Sequence, residues 1–326
     1  MLESDTRLAW RLFHLNWLPV AAMGGVLLLA VLVGELSIAP ATFATMCGFC
    51  FELALIGYLY IRLRRRSADL RLVFAIGAIA QLIMLVVITG PLSYVAVMMN
   101  WPLQDQTLLA IDRALGLDPK VVASFVNDRP WLADALDTGY KFIKLFILAT
   151  PIVLAATMRL VRLQVFVGAM SIALAHTLAI SVFTPAIGTY YGLNVPVSDF
   201  PSLNPSFYTA QLHDILAVRA GSLRHLELFD LAGVVSFPSF HAASAILYLW
   251  ALWPVRGLGA VAAVMNILMI LSTPVIGAHY VIDVIGGIVL AVAAIWAAKR
   301  CRDAVAREAA RAGRMPPQPQ VSLQPN

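Results

Sequence analysis

The chain has 326 residues, 60% of them hydrophobic and only 13% charged, with a mean hydropathy of +0.82 and a formal net charge of +5. A soluble domain carries about 25% charged residues, so a water-soluble globular protein is excluded. The basic excess sits in a few short segments and reports membrane orientation; no RNA- or DNA-binding pattern is present. Cys47, Cys50 and Cys301 make no disulfide framework. Cys47 and Cys50 have neither a second pair nor a nearby histidine to complete a metal site, and read as small apolar residues in a helix.

In chain order, Met1 to Asn16 carries Glu3, Asp5, Arg7 and Arg11 and leads into a long apolar run without a small-residue cleavage site. This predicts a retained first helix and not a signal peptide. A spanning helix needs about 20 mostly apolar residues. Eight runs qualify or come close, at 17–37, 41–61, 72–98, 140–158, 163–184, 238–254, 258–276 and 280–298. The sixth barely spans at a rise of about 1.5 Å per residue, which leaves His241 near the interface.

Arginines 62, 64, 65, 66 and 71 lie between the second and third runs, Arg159 and Arg162 between the fourth and fifth, and Arg256 between the sixth and seventh. Lys299, Arg300 and Arg302 follow the eighth, and Arg7 and Arg11 precede the first. Eight crossings place all five groups on one side, the cytoplasmic one, with both termini. The other side receives 100–139, with short amphipathic helices predicted around 108–119 and 131–136. It also receives 184–237, too long for a plain connector. Beyond Arg302 an Ala/Arg/Glu stretch predicts a frayed helix, and the Pro/Gln-rich end predicts disorder. No internal or inverted repeat is visible. The predicted fold is all-α: a polytopic membrane helix bundle of about eight transmembrane helices, with interfacial amphipathic helices on the non-cytoplasmic side.

Two segments carry the chemistry: Phe237-Pro238-Ser239-Phe240-His241, and Gly277-Ala278-His279-Tyr280-Val281-Ile282-Asp283. His279 and Asp283 are four residues apart, one helical turn on one face. An imidazole with a carboxylate one turn away is an oriented base or nucleophile. His241 opens another apolar run 38 residues earlier, on the same predicted side, so the three groups can converge. Ionisable groups in membrane helices are costly and point to function. A purely structural His–Asp tie and a zinc site remain the other readings of these residue types.

Together the two motifs resemble the type 2 phosphatidic acid phosphatase superfamily, and within it the branch of inositol phosphorylceramide synthases and their bacterial relatives. The resemblance extends to Asp112-Arg113-Ala114-Leu115-Gly116 and to Thr184-Pro185-Ala186-Ile187-Gly188-Thr189-Tyr190-Tyr191, covering roughly 100–298. It implies a catalytic membrane domain over 100–300, which hydropathy and composition flank with N-terminal transmembrane helices over 1–99 and a cytoplasmic disordered tail over 301–326. It also implies that His279, held by Asp283, forms a phosphohistidine, and that His241 acts as general acid and then general base. The substrate would be a lipid phosphate ester, the acceptor water or a lipid alcohol, with no metal or cofactor required. The expected location is the bacterial inner membrane, with the active site facing the periplasm.

Three departures from the phosphatase pattern stand out. Phe240 replaces a glycine before His241, and Thr273 follows Ser272 where an arginine is usual. Lys120 and Arg129-Pro130 are out of register for the first motif. A phosphate monoester carries about two charges and favours bidentate arginine clamping, whereas a diester carries one. The departures therefore favour head-group transfer over monoester hydrolysis. Candidate substrate-binding residues on the same side are Ser239, Lys141, Lys144, Tyr190, Tyr191, Arg219 and Arg224, and His176 lies mid-helix in the fifth run. Interfacial snorkelling of the lysines, an aromatic belt for the tyrosines and solvated loops for the arginines are the plainer readings. A lipid transporter is the rival outside enzymes, but the ionisable groups sit at helix starts and no broken repeat is evident.

Overall fold

The computed structural model describes residues 2–34, 36–64, 69–204 and 206–312. Arg65 and Arg66 of the basic connector, and the predicted disordered end from 313 onward, lie outside the described residues.

The chain is a polytopic all-α bundle. The N-terminal part consists of α1 (Leu2–Leu15), α2 (Trp17–Leu32), α3 (Pro40–Arg64) and α4 (Leu70–Met98). Short helices α5 (Asp105–Ala114), α6 (Pro119–Asn127) and α7 (Pro130–Tyr140) follow, then α8 (Phe142–Ala156) and α9 (Leu160–Phe183). The long segment contains α10 (Thr189–Leu193) and α11 (Ser206–Arg219), and the chain continues through α12 (Phe240–Leu252), α13 (Leu258–Ile276) and α14 (Val281–Ala312). Two residue pairs, Ser37–Ile38 (β1) and His225–Leu226 (β2), form a minimal parallel ladder.

Six helical stretches are long and apolar enough to cross a membrane: Ser4–Leu32, Pro40–Tyr60, Leu70–Met98, Leu160–Phe183, Leu258–Ile276 and Val281–Arg311. This makes the chain an integral membrane protein. Helices α7 and α8, bent by 41° about Lys141, qualify as one further span, and α12 is apolar but only 13 residues long. Leu28, Leu29, Val289, Val292 and Trp296 are all more than half exposed, an outward apolar surface suited to lipid.

The structure extends several predicted elements. The first apolar stretch begins at Ser4 instead of 17, because the amphipathic α1 leads almost directly into α2. The predicted 131–136 helix is the start of α7, packed on α13 and continued into α8. Residues 119–127, not foreseen as helix, form α6 because Asp118 caps it and Pro119 supplies the first position. The last helix does not stop at 298 but runs to Ala312.

Small residues and buried polar ties hold the bundle. Ala242, Ala243, Ser244 and Ala245 on α12 are completely buried and let the backbones approach closely. Asn16 donates to the Gln164 carbonyl at 2.9 Å and to its side chain at 3.1 Å, joining the α1–α2 junction to α9. Gln81 donates to the Phe13 carbonyl at 2.8 Å. At the other end, α5, α6 and residues 184–204 and 206–237 form a cap. Tyr94 fastens it, donating to Asp214 at 2.5 Å and accepting from the Ala232 N–H at 2.9 Å.

Candidate active site

His279 lies in the short non-helical link between α13 and α14, just after Ala278, which adopts a left-handed φ of 54°. The first N–H groups of a helix have no partner inside it. In α14 those of Val281 and Ile282 are taken by Asp112 of α5, at 2.7 and 2.9 Å. Asp105, two turns earlier on the same face of α5, accepts from the N–H groups of Ile187 and Gly188, the latter at 2.8 Å. The Tyr280 hydroxyl is 2.9 Å from Asp105 and 3.0 Å from the Gly188 carbonyl, with one proton for the two. The Thr189 N–H donates to the Ala278 carbonyl at 2.8 Å. Gly188 has φ +134°, and a Cβ there would meet that carbonyl at 2.5 Å, so only glycine fits. Two carboxylates thus clamp the His279 link from outside the bundle. Burial is the largest effect on both and pushes them above the usual carboxylate range, and the charge of Asp283 pushes the same way.

His279 Nδ1 is 3.2 Å from Asp283 Oδ2, and both side chains are buried. The same carboxylate oxygen accepts the Ser236 hydroxyl at 2.7 Å and the Tyr280 N–H at 3.1 Å. An ionised Asp283 can only accept, so in this pair Nδ1 carries the proton and Nε2 presents its lone pair. The His241 ring centroid is 6.5 Å from that of His279. Tyr140 stacks flat on His241 at 4.0 Å and 11°, which fixes the plane of that imidazole.

Close helix contact brings the two motifs together. Ser239, fully buried, caps α12 by accepting the Ala242 N–H, and its own N–H donates to the Asp283 carbonyl at 2.9 Å. A Cβ on Gly287 would collide with the Ser239 carbonyl and meet Ala242 at 3.2 Å. The start of α12 therefore rests directly on α14, one turn beyond Asp283.

The other predicted residues are distributed unevenly. Tyr190 shares with His279 a cavity of only about 10 Å³, room for roughly one water. Its hydroxyl is committed to the Val275 carbonyl at 3.0 Å. The Lys144 ammonium lies 5.9 Å from the Phe207 ring, which in turn packs on Tyr140. Lys141 is paired with Asp137, and Arg219 donates to the Trp101 carbonyl at 2.9 Å. Arg224 sits beside the β1–β2 ladder, its carbonyl accepting from Ser37, and Tyr191 is exposed. His176 Nδ1 is 2.8 Å from the Ile172 carbonyl of its own helix. Ser272 and Thr273 are buried and turned back to the Met269 carbonyl. Arg129 lies over the Phe125 ring and donates to the Phe125 carbonyl. Among the described residues no group of three or more His, Cys, Asp or Glu side chains has the arrangement to hold a metal ion.

Sequence reasoning missed Asp105, Tyr140 and Ser236, and read Asp112 and Tyr280 only as parts of motifs. A signal was available for the aspartates. Residues 105, 108, 109 and 112 are the buried stripe of α5, and both ends of that stripe are Asp. A carboxylate on the apolar face of an amphipathic helix must find donors. Tyr140 and Ser236 left no such mark.

A buried His–Asp pair beside a second histidine, in an all-α membrane bundle, can supply a nucleophile and an acid–base group. The family model described as PAP2 superfamily matches residues 106–297, more than half of the chain, and the chain belongs to that superfamily. Comparison with curated proteins and with solved structures gives no significant match. Superfamily membership makes this an enzyme of lipid phosphatase or phosphotransferase type acting on phosphate esters.

Proposed function

We propose that the protein transfers a phosphate-bearing head group, inositol phosphate or a related one, from a donor lipid to a lipid alcohol through a phosphohistidine. The observation that carries this reading is the His279–Asp283 pair facing His241 at 6.5 Å between ring centroids. A single phosphoryl group bridges such a gap.

In the first step the Nε2 lone pair of His279 attacks phosphorus. The bond from phosphorus to the leaving glyceride oxygen breaks, and His241 gives that oxygen its proton. Asp283 holds the Nδ1–H and balances the positive charge that develops on the ring. In the second step the acceptor hydroxyl loses its proton to His241, its oxygen attacks phosphorus, and the P–N bond breaks. His279 and His241 then return to their starting states.

Transfer is favoured over monoester hydrolysis by the missing arginines. Thr273 is buried against its own helix where a clamp would stand, and Arg129 is engaged with Phe125. Lys144, beside the Phe207 ring that packs on Tyr140, is the donor for the singly charged diester. Residues 100–300 form the catalytic membrane domain. We read α7–α8 and α12 as crossings, which gives eight, with α5 and α6 interfacial. Basic residues at the opposite end then put both termini in the cytoplasm and the imidazoles toward the periplasm of a bacterial inner membrane.

The test uses purified wild type beside His279→Ala, each given phosphatidic acid, or phosphatidylinositol with a lipid alcohol. A new head-group-bearing lipid made only by wild type is expected. Phosphate released from phosphatidic acid, without such a product, would make the enzyme a monoester phosphatase.

A further inference from the structure

At the end of the bundle away from His279, the α8–α9 link, the last turns of α12 and the distal part of α14 enclose a cavity of about 320 Å³. Arg159, Arg162, Lys299 and Arg302 line it, with Trp250 and Asp5. Beside it an apolar groove of about 620 Å³ runs along Leu249, Trp253, Val292 and Ile295. Arg162 and Trp250 belong to both walls.

The shared wall is rigid. Arg162 lies 4.2 Å over the Trp250 ring and donates to the carbonyls of Trp250 and Ala251. Lys299 approaches the same ring at 5.4 Å, and Arg159 is tied to the Pro254 carbonyl at 2.8 Å. Arg300, by contrast, stacks on Trp296 at 5.0 Å and takes no part in the cavity wall. Among the described residues, the four lining cations are opposed by Asp5 and by Asp303, which is bonded to Arg302 at 2.7 Å; four minus two leaves two positive charges. Lys299 lies 18 residues beyond Val281 on one continuous helix. That is about 27 Å at ~1.5 Å per residue, so cavity and imidazoles face opposite membrane interfaces.

We propose that cavity and groove together bind an anionic glycerophospholipid of the leaflet opposite the active site. Its phosphate sits among Arg159, Lys299 and Arg302, and one acyl chain lies along Val292 and Ile295. A basic pocket between transmembrane helices at an interface suits an anionic head group, and guanidinium forks suit phosphate oxygens. The adjoining apolar groove gives a chain-bearing ligand an advantage that free phosphate lacks. The residual charge disfavours a zwitterionic lipid. This site is independent of the chemistry at His279.

The test is native mass spectrometry of the full chain exposed to equimolar phosphatidylglycerol and phosphatidylcholine. Wild type should retain phosphatidylglycerol about fivefold or more over phosphatidylcholine. Lys299→Gln with Arg302→Gln should bring that ratio toward one, and Val292→Trp, which fills the groove, should lower retention of both lipids. Circular dichroism and gel filtration check that each variant is folded. Three results would overturn the proposal: equal retention of the two lipids by wild type, an unchanged ratio in the folded charge variant, or displacement of phosphatidylglycerol by equimolar glycerol 3-phosphate. Unchanged retention in folded Val292→Trp would remove the groove from it.

Discussion

Asp112 and Val281 are 169 residues apart in the chain and 2.7 Å apart in space, the carboxylate of one capping the helix that begins with the other. The cap sits between His279 and Asp283 in sequence, so the orientation of both depends on a residue that meets neither. Asp112→Ala should cost about 1–2 kcal/mol, as lost N-caps do. It should lower kcat more than it raises KM, because the pair that reacts is loosened while lipid binding is not. Asp112→Asn keeps an acceptor oxygen and should recover most of the stability. Thermal unfolding in detergent, with steady-state kinetics on both variants, checks this.

Within the pair itself, Asp283→Asn should leave the bundle folded and reduce turnover by about 10⁴-fold, the loss seen when the group fixing a catalytic imidazole is neutralised. His279→Ala should abolish turnover and trapping of a phosphorylated enzyme alike. Rapid quench with radiolabelled donor reads both. A stable acid-labile adduct formed by His279→Ala would place the nucleophile elsewhere.

Gly287→Ala tests the contact that holds the two histidine motifs together. The added methyl group meets the Ser239 carbonyl and Ala242, and overpacking of this kind costs about 1–3 kcal/mol. The start of α12 must move away from α14, carrying His241 with it. Activity should therefore fall further than for Gly25→Ala, where a Cβ meets nothing within 4 Å. Comparing specific activity at matched folded fraction separates the two.

Asp105 gives stability a pH dependence of definite sign. Burial holds its carboxyl above the ordinary value of 3.8, so the folded chain keeps the proton to higher pH than the unfolded chain does. The associated stabilisation is fully present below the unfolded value and is lost as pH rises through the folded one. Asp112 contributes in the same direction. Asp105→Asn, neutral throughout, should flatten the melting temperature over that window relative to wild type. A variant steeper than wild type would reverse the assignment.

The membrane class, the apolar helices and the His279–Asp283 pair were legible because they are local. A spanning helix is a run of about 20 apolar residues, and an i, i+4 pair is fixed by helical pitch. Lys141, Arg219 and Arg224 show where this stops. Each was expected beside the imidazoles, yet Lys141 pairs with Asp137, Arg219 donates to the Trp101 carbonyl, and Arg224 meets β1 only through its backbone carbonyl. Side assignment fixes a leaflet; it does not aim a side chain.

By itself, then, the sequence determined what solvent the chain inhabits and which carboxylate partners His279. Hydropathy and helical periodicity are properties of neighbouring residues and survive without a fold. Only tertiary structure decided that Tyr140 backs His241, that Asp105 and Asp112 clamp the His279 link, and that Gly287 lets α12 rest on α14. Those relations join residues tens to more than a hundred positions apart. They depend on how closely helix backbones approach, which is set by side-chain volume at the crossings and by where buried polar groups find partners.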